Sequence, residues 1–181
     1  MNASSAPRCP LRPAISFTTL LLRFSLGGLM AFSGWMKLGL HTDLGLQAFL
    51  PLKSLAPLDF YFAIAGFKLG LPEHLGIALS FIIPWTELLA GLGLIFGLWT
   101  RAAALIIALT MAGFAAGILS VISRGLDVNC PCFGAIKLFC PSRIGTCHII
   151  RNAAFASAAI WIIVTDAGPL SLDRLLARQR S

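Results

Sequence analysis

The chain has 181 residues, and its composition excludes an ordinary water-soluble domain. Hydrophobic residues make up 57% of the chain and charged residues only 12%, whereas a soluble domain carries about 25% charged residues. The formal charge of +7 does not indicate nucleic-acid binding, because the sequence has no basic run with interleaved aromatic residues. Basic anchors in the loops and tails of a membrane protein account for this charge better.

Four long apolar stretches follow one another along the chain, and a helix needs roughly 20 apolar residues to cross a bilayer. We therefore predict an all-α polytopic membrane protein, a four-helix bundle with a long interfacial loop and a cysteine-rich outer loop. The transmembrane domain is predicted over residues 13–165, between tails of residues 1–12 and 166–181. Its four helices are predicted at residues 13–36, 75–98, 102–123 and 147–165.

The connection between the first two predicted spans, residues 37–74, contains Pro51, Pro57 and Pro72 but is still rich in Leu and Phe. This mixture predicts short helices that lie on the bilayer rather than cross it. The first apolar stretch is too long for the apolar core of a secretory signal peptide, so we predict that it is retained as a transmembrane helix.

Four spans place both tails on the same side of the membrane. The basic residues outside the helices are evenly divided between the two sides, but the tail-side segments are shorter and therefore have the higher density of Lys and Arg. The positive-inside rule then places both tails in the cytoplasm. The expected location is a bacterial inner membrane with the cysteine loop in the oxidising periplasm.

Two charged residues, Arg23 and Glu87, fall near the middle of predicted spans. A charge at the bilayer centre costs about 2.5–3.5 kcal/mol on insertion scales. The two helices run in opposite directions and the two depths agree to within about one helical turn, so we expect an ion pair inside the bundle. Such a pair either locks the first two spans together or forms part of a proton path or a quinone-facing site.

Four of the five cysteines lie in one loop and at the start of the last span, while Cys9 stands alone in the N-terminal tail. Cys130 and Cys132 form a C-x-C pair, which can close only into a small strained ring. Strain makes a disulfide more easily reduced, so this pair is predicted to be redox-active. Cys140 and Cys147 are the candidate resolving pair for a relay of thiol–disulfide exchange.

Two alternatives remain open for these cysteines. Disulfides that join the first pair to the second would be purely structural. Four thiolates can also hold Zn²⁺, but the spacing is not that of the usual C-x₂₋₄-C zinc knuckle, so no metal site is predicted. Arg151, about one turn into the last span, either anchors the helix at the membrane surface or stabilises a neighbouring thiolate.

Several short motifs carry a family resemblance. The segment Cys130-Pro131-Cys132-Phe133-Gly134 resembles the C-G-C-F-G loop of the MauE family, the methylamine-utilisation membrane proteins, which belong with the broader DoxX-like four-helix membrane proteins. The segments Gly34–Leu38, Pro84–Gly91 and Arg151-Asn152 look like the G-x-x-K-L, P-x-x-E-L-x-x-G and R-N motifs of the family's first, second and last helices. Pro131 in place of the usual Gly and the additional Cys140 are departures from the pattern.

The resemblance implies a membrane thiol–disulfide redox protein that assists the maturation of a disulfide-containing periplasmic client. In the namesake setting this client is the light subunit of methylamine dehydrogenase. A thioredoxin-like periplasmic partner is implied as well, because this chain has no thioredoxin C-x-x-C of its own. The alternatives are a non-catalytic membrane assembly factor and a quinone-coupled DoxX-like oxidoreductase subunit, for which quinone is the one cofactor that the resemblance permits.

Overall fold

A computed structural model describes the backbone of residues 11–38, 57–130, 140–141, 143–165 and 171–173, and the side chains of the first two helices from Phe17 and Phe60 onward. The principal helices run in the order α1, α2, α3, α4 and α5. Within the described ranges the only β pairing is an isolated bridge. The predicted all-α fold is confirmed. The bounds of the helices are Leu11–Leu38 for α1, Pro57–Gly66 for α2, Glu73–Phe96 for α3, Thr100–Ser123 for α4 and Thr146–Val164 for α5.

Four helices, α1, α3, α4 and α5, are long and apolar enough to cross a membrane. Each begins and ends within two residues of the predicted bounds. Large apolar side chains such as Leu89, Leu109 and Val164 project outward, with 61%, 64% and 77% of their surface exposed. Lipid is the solvent that suits such a surface, so the chain is a multi-pass membrane protein.

Glycines bring α1 and α3 into backbone contact. A Cβ atom on Gly34 would lie 2.5 Å from the carbonyl oxygen of Pro84 and 2.6 Å from the backbone nitrogen of Leu88. A Cβ atom on Gly91 would lie 2.6 Å from the carbonyl oxygen of Gly27. Small residues allow membrane helices to approach this closely, and here they determine which residues of the two helices face each other.

The short helix α2 lies in the predicted interfacial connection and packs one face against the bundle. Phe60 and Ile64, together with Phe67 just after the helix, are buried, and their i, i+4, i+7 spacing is that of one helical stripe. Phe62, on the opposite side, is 61% exposed. The helix therefore covers the ends of the longer helices near Lys37, whose ammonium lies 5.0 Å from the centre of the Phe60 ring.

A segment from the C-terminal part of the chain caps α4. Trp99, the residue before the helix, has a φ of 48° and offers no side-chain cap of its own. Instead, the Asp173 carboxylate accepts hydrogen bonds from the backbone N–H groups of Trp99 and Thr100, at 2.9 and 3.0 Å. It also accepts one from the Thr100 hydroxyl at 3.1 Å. These bonds satisfy donors that a helix start otherwise leaves unpaired.

The charge of Asp173 gives this cap a pH dependence. Partial burial would raise the pKa of the carboxyl, but the hydrogen bonds from Thr100 and Trp99 and the nearby positive charge of Arg23 outweigh it and lower the pKa below its ordinary value. Because the folded-state pKa is depressed, the contribution to stability is complete above the unfolded-state pKa of about 3.9. It is lost as the pH falls through the lowered folded-state value.

Replacing Asp173 with Ala is expected to lower the free energy of unfolding by about 1 kcal/mol, the usual value of a helix cap. Thermal unfolding of the detergent-solubilised protein measures this loss. Asp173→Asn keeps an oxygen acceptor, so it should lose less stability than Asp173→Ala. The difference in stability between Asp173→Asn and the wild type should shrink as the pH falls below about 4, because the wild-type carboxylate is then protonated. Asp127→Ala is the matched control, because that carboxylate is 63% exposed in a surface ion pair with Arg143. Equal losses for the two alanine variants would contradict the cap.

Candidate functional site

The cysteine loop follows α4, and short backbone pairings hold its two arms together. Asn129 and Arg143 form an antiparallel bridge, and the Ile144 N–H donates to the Val128 carbonyl at 3.1 Å. The two arms of the loop therefore lie side by side just before α5 begins. In the first arm, directly after α4, the Arg124 side chain donates to the backbone carbonyls of Phe67 and Lys68, which follow α2. These contacts place the cysteine loop and the α1–α3 connection on the same side of the membrane.

Cys130 lies at the centre of this arrangement. It is disulfide-bonded, it is partly buried, and it packs against the hydrophobic core of the bundle. The guanidinium of Arg151 reaches it from the second turn of α5, with Nη2 at 3.7 Å from the Cys130 Sγ. The side chain of Arg151 is therefore placed beside a sulfur. Cys132, the other member of the predicted redox pair, lies outside the described residues, as does Cys9.

Cys140 and Cys147 are bonded to each other, with their Cα atoms 5.9 Å apart. This bond joins the end of the loop to the first turn of α5, and Cys140 is only 7% exposed. The alternative in which these two cysteines bridge to Cys130 or Cys132 is therefore wrong in this state of the protein. A sulfur in a disulfide is also not a thiolate ligand. No group of three or more His, Cys, Asp or Glu side chains in the described part of the chain is placed to hold a metal ion.

The start of α5 is stabilised by a histidine. The Gly145 N–H donates to the His148 Nδ1 at 3.3 Å, which is half of a capping box. His148 is 1% exposed. Together with the disulfide at Cys147, this cap holds the first two turns of α5, on which Arg151 and Asn152 are carried.

The predicted ion pair between Arg23 and Glu87 is wrong. Glu87 pairs instead with Lys37, whose Nζ lies 2.7 Å from both carboxylate oxygens. The Ser33 hydroxyl donates to the same carboxylate at 3.1 Å. The reason is the register of α1 against α3: the contact of Gly34 with Pro84 and Leu88 brings the end of α1, not its middle, opposite Glu87.

Arg23 lies further along the same helix contact. Its Nε donates to the Leu94 carbonyl at 3.1 Å, and its guanidinium packs against Gly97, where α3 ends. Its charge acts on Asp173 in the C-terminal segment. Arg23 is fully buried, and it serves the α3–α4 turn rather than the charge cluster around Glu87.

Sequence reasoning missed Lys37 as the partner of Glu87, because Lys37 closes the first predicted span and such lysines usually anchor a helix at the membrane surface. It is 1% exposed, and its ammonium lies 5.0 Å from the ring centres of Phe60 and Phe114. One sequence signal could have identified it. Ser33 and Lys37 are four residues apart, so they lie on one helix face, and Gly34 lies between them in the sequence.

A small polar cavity joins this charge cluster to the cysteine side of α5. Its volume is about 10 Å³, which is room for about one water molecule. Asn152 is 2% exposed, and its Nδ2 has no hydrogen-bond acceptor among the described residues. The cavity is therefore lined by a buried hydrogen-bond donor, the Asn152 amide, and by the Glu87 carboxylate, and it has room for one water-sized molecule. It is lined by Ser33, Lys37, Glu87, Arg151 and Asn152 and by the apolar side chains of Met30, Met111, Phe114 and Phe155.

Comparison with known proteins gives one finding. The family model described as methylamine utilisation protein MauE matches residues 15–165, which is most of the chain and includes all four spans. No curated protein and no solved structure matches the chain.

Proposed function

Since the chain belongs to the MauE family, we propose that it is a membrane thiol–disulfide redox protein whose exchanging bond joins Cys130 to Cys132. In this proposal the loop faces the periplasm of a bacterial inner membrane. A thioredoxin-like protein visits the loop, and electrons pass between the two on the way to or from a disulfide-containing client. The light subunit of methylamine dehydrogenase is the client that the family resemblance implies.

The observation that carries the proposal is the contact between Cys130 and Arg151. A sulfur in a disulfide lies 3.7 Å from a guanidinium, and a positive charge beside a cysteine is the usual feature of a reactive thiol. Cys132 is two residues away in the sequence, so it is the natural partner, and a ring closed by so few atoms is strained and easily reduced.

The second disulfide supports separate roles for the two pairs of cysteines. Cys140 and Cys147 are bonded to each other across seven positions, with one sulfur buried in the loop and the other in the first turn of α5. This bond holds the helix that carries Arg151. In a relay it would also be the next disulfide available to a Cys130 or Cys132 thiolate.

The test is to alkylate free thiols in intact cells with a membrane-impermeant maleimide, with and without prior reduction. We expect Cys130 and Cys132 to be found in both redox states, and a single Cys→Ser variant of the pair to accumulate a mixed disulfide with a soluble protein. Cys9→Ser is the matched control and should change neither result, because that cysteine is predicted in the cytoplasmic tail.

Cysteines that stay permanently oxidised, or a Cys130→Ser/Cys132→Ser double variant with full activity, would instead favour the non-catalytic assembly factor. A thiol state that shifts on addition of quinone analogues would favour the quinone-coupled alternative. Labelling only after the cells are permeabilised would overturn the periplasmic location of the loop.

A further inference from the structure

The four spanning helices pack as two pairs with a polar cavity between them. α1 packs chiefly against α3, and α4 packs chiefly against α5. Lys37 and Glu87 line the cavity from the first pair of helices, and Asn152 lines it from the second. A molecule that bonded to both walls of this cavity would therefore also join the two helix pairs.

One wall of the cavity supplies a hydrogen-bond donor, the side-chain amide of Asn152. This side chain is 2% exposed, and its Nδ2 has no acceptor within the part of the chain that the structure describes. A buried amide with an unmade hydrogen bond destabilises a fold, and native proteins nearly always give such a group a partner from the protein or from water. The amide therefore indicates a bound acceptor at this wall.

The opposite wall supplies an acceptor, the carboxylate of Glu87. An ionised carboxylate has about four lone-pair sites for hydrogen bonds. The Lys37 ammonium donates to both oxygens at 2.7 Å, and the Ser33 hydroxyl donates at 3.1 Å. These bonds leave space at the carboxylate for about one further donor. A molecule that satisfies both walls must accept from Asn152 and donate to Glu87.

The size and charge of the cavity select the molecule. A volume of about 10 Å³ has room for about one water molecule, and buried water makes hydrogen bonds to polar groups that would otherwise be unsatisfied. An anion would accept from Asn152 but would be repelled by the Glu87 carboxylate. A metal cation would suit the carboxylate but could not accept a hydrogen bond from the amide. Water satisfies both walls, because it accepts and donates.

We propose that one ordered water molecule binds in this cavity, accepts a hydrogen bond from the Asn152 Nδ2 and donates one to the Glu87 carboxylate. It thereby links α5 to the ion pair between α1 and α3. The link acts on the turn of α5 that carries Arg151, whose Nη2 lies 3.7 Å from the Cys130 Sγ. This water site belongs to the bundle itself and does not depend on the proposed redox function.

The first experiment detects the water by NMR in the full-length protein in detergent micelles. The chain has only three asparagines, Asn2, Asn129 and Asn152, so labelling with ¹⁵N-asparagine gives three side-chain amide signals. The variants Asn2→Gln and Asn129→Gln identify the signals of the other two. We expect a nuclear Overhauser cross-peak between the Asn152 amide protons and water, with the sign of a long-lived bound molecule.

Ser33→Ala is the control for this measurement, because the exchanging proton of the Ser33 hydroxyl could relay a signal from bulk water. The cross-peak should persist in this variant. Relaxation dispersion of water ¹⁷O, which reports on water oxygen and not on exchanging protons, should show about one long-lived water fewer in Asn152→Leu than in the wild type. Absence of the cross-peak in the wild type, or its loss in Ser33→Ala, overturns the proposal.

The second experiment measures the coupling that the water carries. Asn152→Leu has a side chain of similar size, and it is expected to lower the equilibrium constant for folding about tenfold, because it removes a hydrogen bond that leads to a charged group. In the Lys37→Met/Glu87→Met background the carboxylate is gone, and the same substitution should cause no loss.

Ser157→Ala is the matched control on the same helix, because the Ser157 hydroxyl is exposed and bonds within α5 to the Ala153 carbonyl. It should have the same effect on folding in the wild type and in the Lys37→Met/Glu87→Met background. Equal effects of Asn152→Leu in these two backgrounds would show that Asn152 acts without Glu87, and the bridge would be wrong. That result would leave the redox function of the cysteine loop untouched.

Discussion

Replacing Glu87 with Ala is expected to lower the free energy of unfolding by about 3–5 kcal/mol, the usual cost of leaving one partner of a buried ion pair alone. Lys37 is 1% exposed, so its amino group would be left buried without its counter-ion. Ser33 would lose its acceptor as well. The rings of Phe60 and Phe114 lie 5.0 Å from the ammonium, but a cation–π contact is worth only about 0.5–2 kcal/mol and does not replace a carboxylate.

Unfolding of the detergent-solubilised protein, followed by heat or by denaturant, measures this loss. Glu73→Ala is the matched control, because Glu73 lies in the first turn of the same helix and is exposed, and a surface substitution usually changes stability by no more than about 0.5 kcal/mol. The double variant Lys37→Met/Glu87→Met removes both charges and should recover most of the loss, because an apolar pair of similar size is often as stable as a buried ion pair. Losses that simply add in the double variant would show that the two side chains do not interact.

Replacing Gly91 with Ala is expected to cost about 3 kcal/mol, at the upper end of the usual range for overpacking. The new methyl group would meet the backbone nitrogen of Ala31, and it would lie 2.6 Å from the Gly27 carbonyl oxygen. These are backbone atoms of α1, so no side-chain rotation relieves the contact and the two helices must separate or slide. Sliding would also displace Lys37 from Glu87, so the loss of the helix contact and the loss of the ion pair should appear together.

Gly28→Ala is the matched control for this substitution. Gly28 lies on the same helix as Gly27, but a Cβ atom at this position would have no heavy atom within 4 Å. Its substitution should be neutral or stabilising by up to about 1 kcal/mol, because alanine is the better helix former. The free energies of unfolding of both variants are measured as for the Glu87 variants. Equal stabilities of Gly91→Ala and Gly28→Ala would contradict the close contact of α1 with α3.

The two predictions concern one feature of the molecule, the register of α1 against α3. Glycine contacts hold the backbones together and place Ser33 and Lys37 opposite Glu87. The same register directs Arg23 to the end of α3, where its Nε meets the Leu94 carbonyl. A variant that shifts the register should therefore disturb both buried basic residues, even though they lie more than three turns apart along α1.

The amino-acid sequence by itself determined the number of spans, because the length of an apolar stretch must match the thickness of the bilayer. It also located the cysteine loop, because Pro131, Gly134, Pro141 and Gly145 interrupt the apolar pattern between two spans. It indicated that buried charges need partners, since an isolated charge in the bundle is too costly. These three conclusions rest on local composition and on the surrounding solvent, and none of them depends on how the helices pack against one another.

The tertiary structure alone decided which partners meet. The bounds of two helices do not show how far one is staggered along the other, so the sequence paired Glu87 with Arg23, whereas the contact of Gly34 with α3 brings Lys37 there instead. The pairing of Cys140 with Cys147 was likewise open among several connectivities until the loop was folded. The capping of α4 by Asp173 joins residues far apart in the chain. Such choices depend on helix rotation and register, which side-chain packing sets and the hydrophobic pattern leaves free.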